Sequence, residues 1–238
     1  MELKGKIALV TGGTKGIGYA TAVEMLKSGM SVMITGRTEK TLQETVDQLN
    51  RTYPEKVMGQ AGDVSNMADM NATIKTINDK WGGLDVLIAN AGIGHFAKIQ
   101  DMTSEQWNET IDVNLTGVFN SVKSSLDSLQ KSKGYIITIA SLAGTNFFAR
   151  GAAYNASKFG LVGMTQAIMM DLRDDDIKCS TIMPGSVSTH FNGNEPAEKD
   201  AWKIQPEDIG QMVIDLLKMP ARTLPSKVEV RPSKPPKK

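Results

Sequence analysis

The sequence has one cysteine, two histidines and no long apolar run. Cys179 has no partner for an internal disulfide, and its apolar neighbours point to a buried, inert thiol in a reducing compartment, so a cytoplasmic location is expected. So few imidazoles and thiols leave no ligand set for a dedicated transition-metal centre, and no metal is expected. Nothing approaches the roughly 20 apolar residues of a membrane span. The lead segment MELKGKIALVTGG carries an apolar run too short for a signal peptide. Opposite charges nearly cancel, 27 Lys and Arg against 26 Asp and Glu, so neither nucleic acid nor a membrane surface is expected as a partner.

What is present fits a soluble α/β protein. At 238 residues and 40% hydrophobic content the chain can bury a full core, and one domain over residues 1–238 is expected. Short apolar runs alternate with helical spacing. KIALV, SVMITGR, KVMGQAGDV, LDVLIANAG, YIITIAS, IKCSTIMPG and SKVEVRP read as strands; 17–27, 38–52, 66–81, 103–130, 152–172 and 206–218 read as helices. This alternation predicts a doubly wound parallel sheet of about seven strands with helices on both faces, a Rossmann-like arrangement. Residues 188–205 are polar and poor in periodicity, which suits a short loop over a site. The tail 231–238, RPSKPPKK, is basic and proline-rich.

Several stretches carry candidate chemistry. TGGTKGIG places Gly12, Gly16 and Gly18 between the first strand and first helix, where amides and a helix N-terminus can cradle a pyrophosphate; the alternative is a turn that binds nothing. Where dinucleotide folds place a carboxylate for the adenine ribose, this chain has Gly36 and Arg37. Arg37, with Lys15, favours a 2′-phosphate and thus NADP(H) over NAD(H), unless both are solvated surface cations. Asn114 lies inside an expected long helix, as a tolerated polar residue or a functional amide. Ser141 ends the fifth strand, as a ligand contact or a turn residue. Tyr154 and Lys158 stand one helical turn apart, either an acid/base pair or a chance surface pair. Ala156, Gly160, Gly163 and Ala167 form a stripe of small residues on another face of that helix.

Taken in register, these motifs resemble the short-chain dehydrogenases/reductases, in their compact single-domain branch, over residues 5–231. The glycine loop, with Gly12, Thr14, Lys15, Gly16, Ile17 and Gly18, is similar to the family's T-G-x-x-x-G-x-G. Asp63-Val64 matches its adenine-side pair and Asn90-Ala91-Gly92 its N-A-G element. Pro184-Gly185 with Val187 and Thr189 resembles the segment beside the nicotinamide, and Asn114, Ser141, Tyr154 and Lys158 the catalytic tetrad. The resemblance implies hydride transfer between the nicotinamide and a small carbonyl or alcohol substrate. Tyr154 would act as proton donor and Ser141 would stabilise the developing alkoxide. Lys158 would bind the nicotinamide ribose and lower the Tyr154 pKa, and Asn114 would position a water. It also implies a homodimer or homotetramer.

Two departures stand out: Ala89 replaces a frequent Asn, and VEVRPSKPPKK replaces the D-G-G ending of many tetrameric members. The second weighs against a 3-oxoacyl-(acyl-carrier-protein or CoA) reductase, the main enzymatic alternative. A non-catalytic NADP(H)-sensing protein is the alternative of another class, but the tetrad is intact. A small ketone, aldehyde or dicarbonyl is the expected substrate, making the chain a carbonyl reductase. His95 and Phe96, Phe147, Phe148 and Arg150, and His190 and Phe191 are expected around the pocket mouth, with His95, Phe148 and His190 as the substrate candidates.

Overall fold

The computed structural model describes residues 1–235; the last three residues of the basic tail lie outside them. Seven strands form one parallel sheet in the order β3-β2-β1-β4-β5-β6-β7. They are β1 (Ile7–Val10), β2 (Ser31–Gly36), β3 (Val57–Ala61), β4 (Val86–Ala89), β5 (Tyr135–Ile139), β6 (Lys178–Pro184) and β7 (Lys227–Val230). The helices are α1 (Gly16–Lys27), α2 (Glu39–Thr52), α3 (Met67–Trp81), α4 (Ser104–Ile111), α5 (Gly117–Ser132), α6 (Ala152–Asp171) and α7 (Pro206–Lys218).

The central strands read as continuous apolar runs because both faces are covered. Ala8 and Val10 of β1 point to a core built with α1, α2 and α7, whereas Leu9 points to the opposite core with α3, α5 and α6. Cys179 belongs to the second core, and burial pushes its thiol up to about 12, so it is inert as expected. No helix among the described residues is long and apolar enough to cross a membrane.

Sequence periodicity predicts one helix over 103–130. It is interrupted by a π-helical segment, Asp112–Thr116, between α4 and α5. A capping box formed by Thr103 and Gln106 starts α4. Thr38 occupies the N-cap position of α2 without a side-chain cap bond.

The sheet order reverses between β1 and β4, so their carboxyl ends open a crevice. Gly12, at φ 65°, turns the chain there, and Gly18, in the first turn of α1, packs against that turn. A Cβ on Gly18 would collide with the Gly12 carbonyl oxygen and lie 2.5 Å from Asn90 Nδ2. Gly18→Ala is therefore expected to destabilise the protein by about 1–3 kcal/mol in urea unfolding. An unchanged midpoint would contradict this packing.

Candidate active site

The crevice is a cavity of about 610 Å3 running from the end of β2, across β1 and β4, to β5 and β6. That volume suits a small-molecule or cofactor site. Gly12, Thr14, Lys15, Gly16, Ile17, Arg37, Asp63 and Val64 line one half, with Asn90, Ala91 and Gly92 at its centre. Ser141, Tyr154, Lys158, Pro184, Gly185, Val187, Thr189 and His190 line the other. Gly18 does not line it; its missing side chain serves the close packing of α1 on the loop.

The centre is fixed by Thr11, the first residue of the glycine motif, to which the sequence assigns no role of its own. Thr11 Oγ1 accepts the backbone N–H groups of Asn90 (3.0 Å) and Ala91 (3.1 Å), while Asn90 Nδ2 donates to the Thr11 and Gly12 carbonyls at 2.9 and 3.1 Å. The ends of β1 and β4 are thereby clamped together. The absent side chains leave room for a flat, phosphate-bearing ligand against backbone amides, so these residues fit a dinucleotide.

Asn114 is fully buried in the π segment. Its Oδ1 accepts from Ile93 N at 2.8 Å, and its Nδ2 donates to Ile93 O at 2.9 Å and to Ser157 Oγ at 3.0 Å. Ser157, a residue the motifs do not mark, donates to Tyr154 O at 2.8 Å. Asn114 thus joins the loop after β4 to the first turns of α6. The π segment supplies the widened turn that such a site uses.

Lys158 is 4% exposed, and its Nζ donates to Ile139 O at 3.0 Å. Burial lowers its pKa to about 8. Its ammonium stands 5.8 Å from the Tyr154 ring centroid, over the ring face. The resemblance implies a lowering of the Tyr154 pKa by Lys158, whereas burial raises it and the Ser141 hydroxyl partly offsets the rise. The spacing predicts a shared face, whereas the charge meets the ring rather than the hydroxyl. Ser141 Oγ is oriented by Ala143 N at 3.1 Å.

Two of the three substrate candidates sit outside the cavity lining. His95 does not line the cavity; its Nε2 lies 2.7 Å from Glu109 Oε2 on α4. Glu109 also faces Arg37, Oε1 to Nη1 at 3.8 Å, so the cation at the end of β2 has a carboxylate opposite it. Phe148 lies outside the cavity lining and packs near Tyr154, their ring centroids 6.5 Å apart. His190 lines the cavity.

A family description for short chain dehydrogenases matches residues 6–200. The chain belongs to the short-chain dehydrogenase/reductase family. An uncharacterized oxidoreductase of Staphylococcus epidermidis is 33% identical over 97% of this chain and 99% of its own. A 3α-hydroxysteroid dehydrogenase of Mediterraneibacter gnavus is 30% identical over 79% of this chain and 76% of its own. Among solved structures, an alcohol dehydrogenase from the archaeon Thermococcus sibiricus, complexed with 5-hydroxy-NADP, superposes with a TM-score of 0.91. It is 26% identical and covers 99% of this chain and all of its own. This short-chain dehydrogenase/reductase is an oxidoreductase acting on CH–OH groups with NAD(P).

The buried ammonium gives a stability prediction for the coenzyme-free enzyme. Folding depresses the Lys158 pKa from 10.5 to about 8, so the penalty is full below pH 8 and disappears as pH rises to about 10.5, where the unfolded lysine also loses its proton. Its size is on the order of 3 kcal/mol. Lys158→Met is therefore expected to exceed wild type in urea stability at pH 7, with the gap closing above pH 10. Equal stabilities at pH 7 would contradict it.

Proposed function

We propose that the protein is an NADP(H)-dependent reductase that converts a ketone, aldehyde or dicarbonyl compound to the alcohol, with Tyr154 as proton donor. The observation that carries this reading is that the hydroxyl-bearing Ser141 and Tyr154 border one cavity wall, with the Lys158 ammonium buried beside them.

The coenzyme half would be held by the glycine-loop amides, Asp63-Val64, Asn90 to Gly92, and the segment Pro184 to Thr189. When bound, the nicotinamide supplies or accepts the hydride. Ser141 donates a hydrogen bond to the substrate oxygen and stabilises the charge that develops there. Tyr154 delivers its proton to the same oxygen, which requires a heavy-atom separation of about 2.6–3.2 Å. The raised Tyr154 pKa keeps the phenol protonated at neutral pH, the form a reductase uses. Lys158 contributes a positive charge to the nicotinamide-ribose end, and Asn114 holds the β4 loop and α6 in register. Residues 188–205 form the substrate cover; His190, Phe191, Asn194 and Lys203 of that stretch line the cavity.

Arg37 and Lys15 at the far end support NADP(H), as does the NADP derivative bound by the archaeal relative. A 2′-phosphate would draw Arg37 from Glu109, a pair that is largely exposed and weak. The exposed Phe119, Phe159 and Met170 on α5 and α6, together with exposed Ala156, Gly163 and Ala167, support a homodimer or homotetramer through these helices.

Tyr154→Phe is expected to abolish turnover while NADPH still binds in a fluorescence titration; near wild-type rates would remove Tyr154 as proton donor. For Arg37→Ala, the KM for NADPH should rise about ten-fold or more with that for NADH nearly unchanged. Equal effects on both coenzymes would contradict the 2′-phosphate assignment.

A further inference from the structure

Three phenylalanine rings from three separate loops pack around Tyr154. Phe96 follows β4, Phe148 follows β5 and Phe191 follows β6, with centroids 5.4, 6.5 and 5.7 Å from that of Tyr154. Phe96 and Phe148 also meet each other at 5.8 Å. All four pairs are tilted or edge-on, the arrangements that aromatic quadrupoles favour.

The loops are built to bring these rings close. A Cβ on Gly94 would stand 2.8 Å from Phe96 Cζ and 3.0 Å from Phe191 Cζ, and one on Gly151 would stand 2.6 Å from Phe148 Cε2. Residues 97 and 151 form a parallel bridge, and Arg150 Nη2 donates to Phe96 O at 3.4 Å, so two of the loops are tied together. Phe191 comes from a short turn in which Asn192 and Gly193 have φ of 57° and 74°. It alone of the three lines the cavity that holds Tyr154. Outward on the same two tied loops, Ile99 is 69% exposed and Phe147 87% exposed, leaving an apolar threshold.

We propose that this enclosure selects carbonyl compounds that bear a flat apolar ring next to the carbonyl, so that aryl ketones and aryl vicinal diketones are preferred to straight-chain counterparts. The proposal rests on the reading of Tyr154 as proton donor. A carbonyl oxygen within hydrogen-bond reach of the phenol brings its substituent against the rings that border Tyr154. A planar ring makes tilted and edge contacts there without losing internal rotations, whereas an alkyl chain loses rotational freedom at each bond it orders. The substrate ring enters by displacing Phe191, and Phe96 and Phe148 remain as the wall.

The test compares a phenyl-bearing vicinal diketone with the straight-chain vicinal diketone of equal carbon count. kcat/KM is measured with NADPH and with NADH, and the dissociation constant of each diketone from the NADP+ complex is measured by calorimetry. Wild type is expected to favour the phenyl compound about ten-fold in both measurements. Phe96→Leu and Phe148→Leu, which thin the remaining wall, should each lower the phenyl-to-straight-chain ratio several-fold in both measurements. Equal values for the two diketones in wild type, or equal losses for both in the variants, would overturn the ring selectivity while leaving carbonyl reduction intact. Reduction of neither diketone with either coenzyme would overturn the underlying reductase reading; the calorimetric ratio would then decide the ring preference on its own.

Discussion

The site depends on an ammonium group that has been taken out of water. Lys158 Nζ has Ile139 O as its hydrogen-bond acceptor and the Tyr154 ring beneath it, and it is buried between α6 and the end of β5. A buried charge is costly unless compensated. Here compensation comes from one carbonyl, one aromatic face and a lowered affinity for its own proton. The bond ties the first turns of α6 to the end of β5. Gly92 completes the arrangement, because a Cβ there would lie 3.2 Å from Asn114 Oδ1 and 3.7 Å from Lys158 Nζ.

The two halves of the cavity are made from different materials. The coenzyme half consists of strand ends, backbone amides and small side chains, locked by the reciprocal bonds of Thr11 and Asn90. The half at Tyr154 takes Phe191 and His190 from the loop after β6 into its lining, while Phe96 and Phe148 pack near the Tyr154 ring from two other loops. Strand ends repeat wherever this sheet is built, so they fix the type of chemistry. Loops differ freely between chains that share the sheet, so they carry the choice of substrate.

The sheet was legible because each strand is a short apolar run bounded by turn residues, and the glycine loop because strand and helix flank it in order. The proline at 206 marked the start of α7 to the residue, whereas either Thr103 or Ser104 could be read as the cap of 103–130, and Thr103 supplies it. The π segment was not legible. A single widened turn leaves the apolar spacing on either side intact, so 103–130 reads as one helix, and only the bonds of Asn114 to Ile93 and Ser157 explain the interruption. His95 was misplaced for a related reason: its partner Glu109 is 14 positions away on another element, and no local pattern joins them. Glu109 likewise reaches Arg37 across the fold. The spacing of Tyr154 and Lys158 gave their common face but not the electrostatic sense of the pair, which burial decides.

Lysine side-chain NMR titration of the coenzyme-free protein measures the central constraint directly. One lysine resonance, missing from the Lys158→Met spectrum, should titrate with a midpoint near 8. If that resonance instead titrates with the solvent-exposed lysines above about pH 10, the ammonium is hydrated and the geometry built on its burial is wrong.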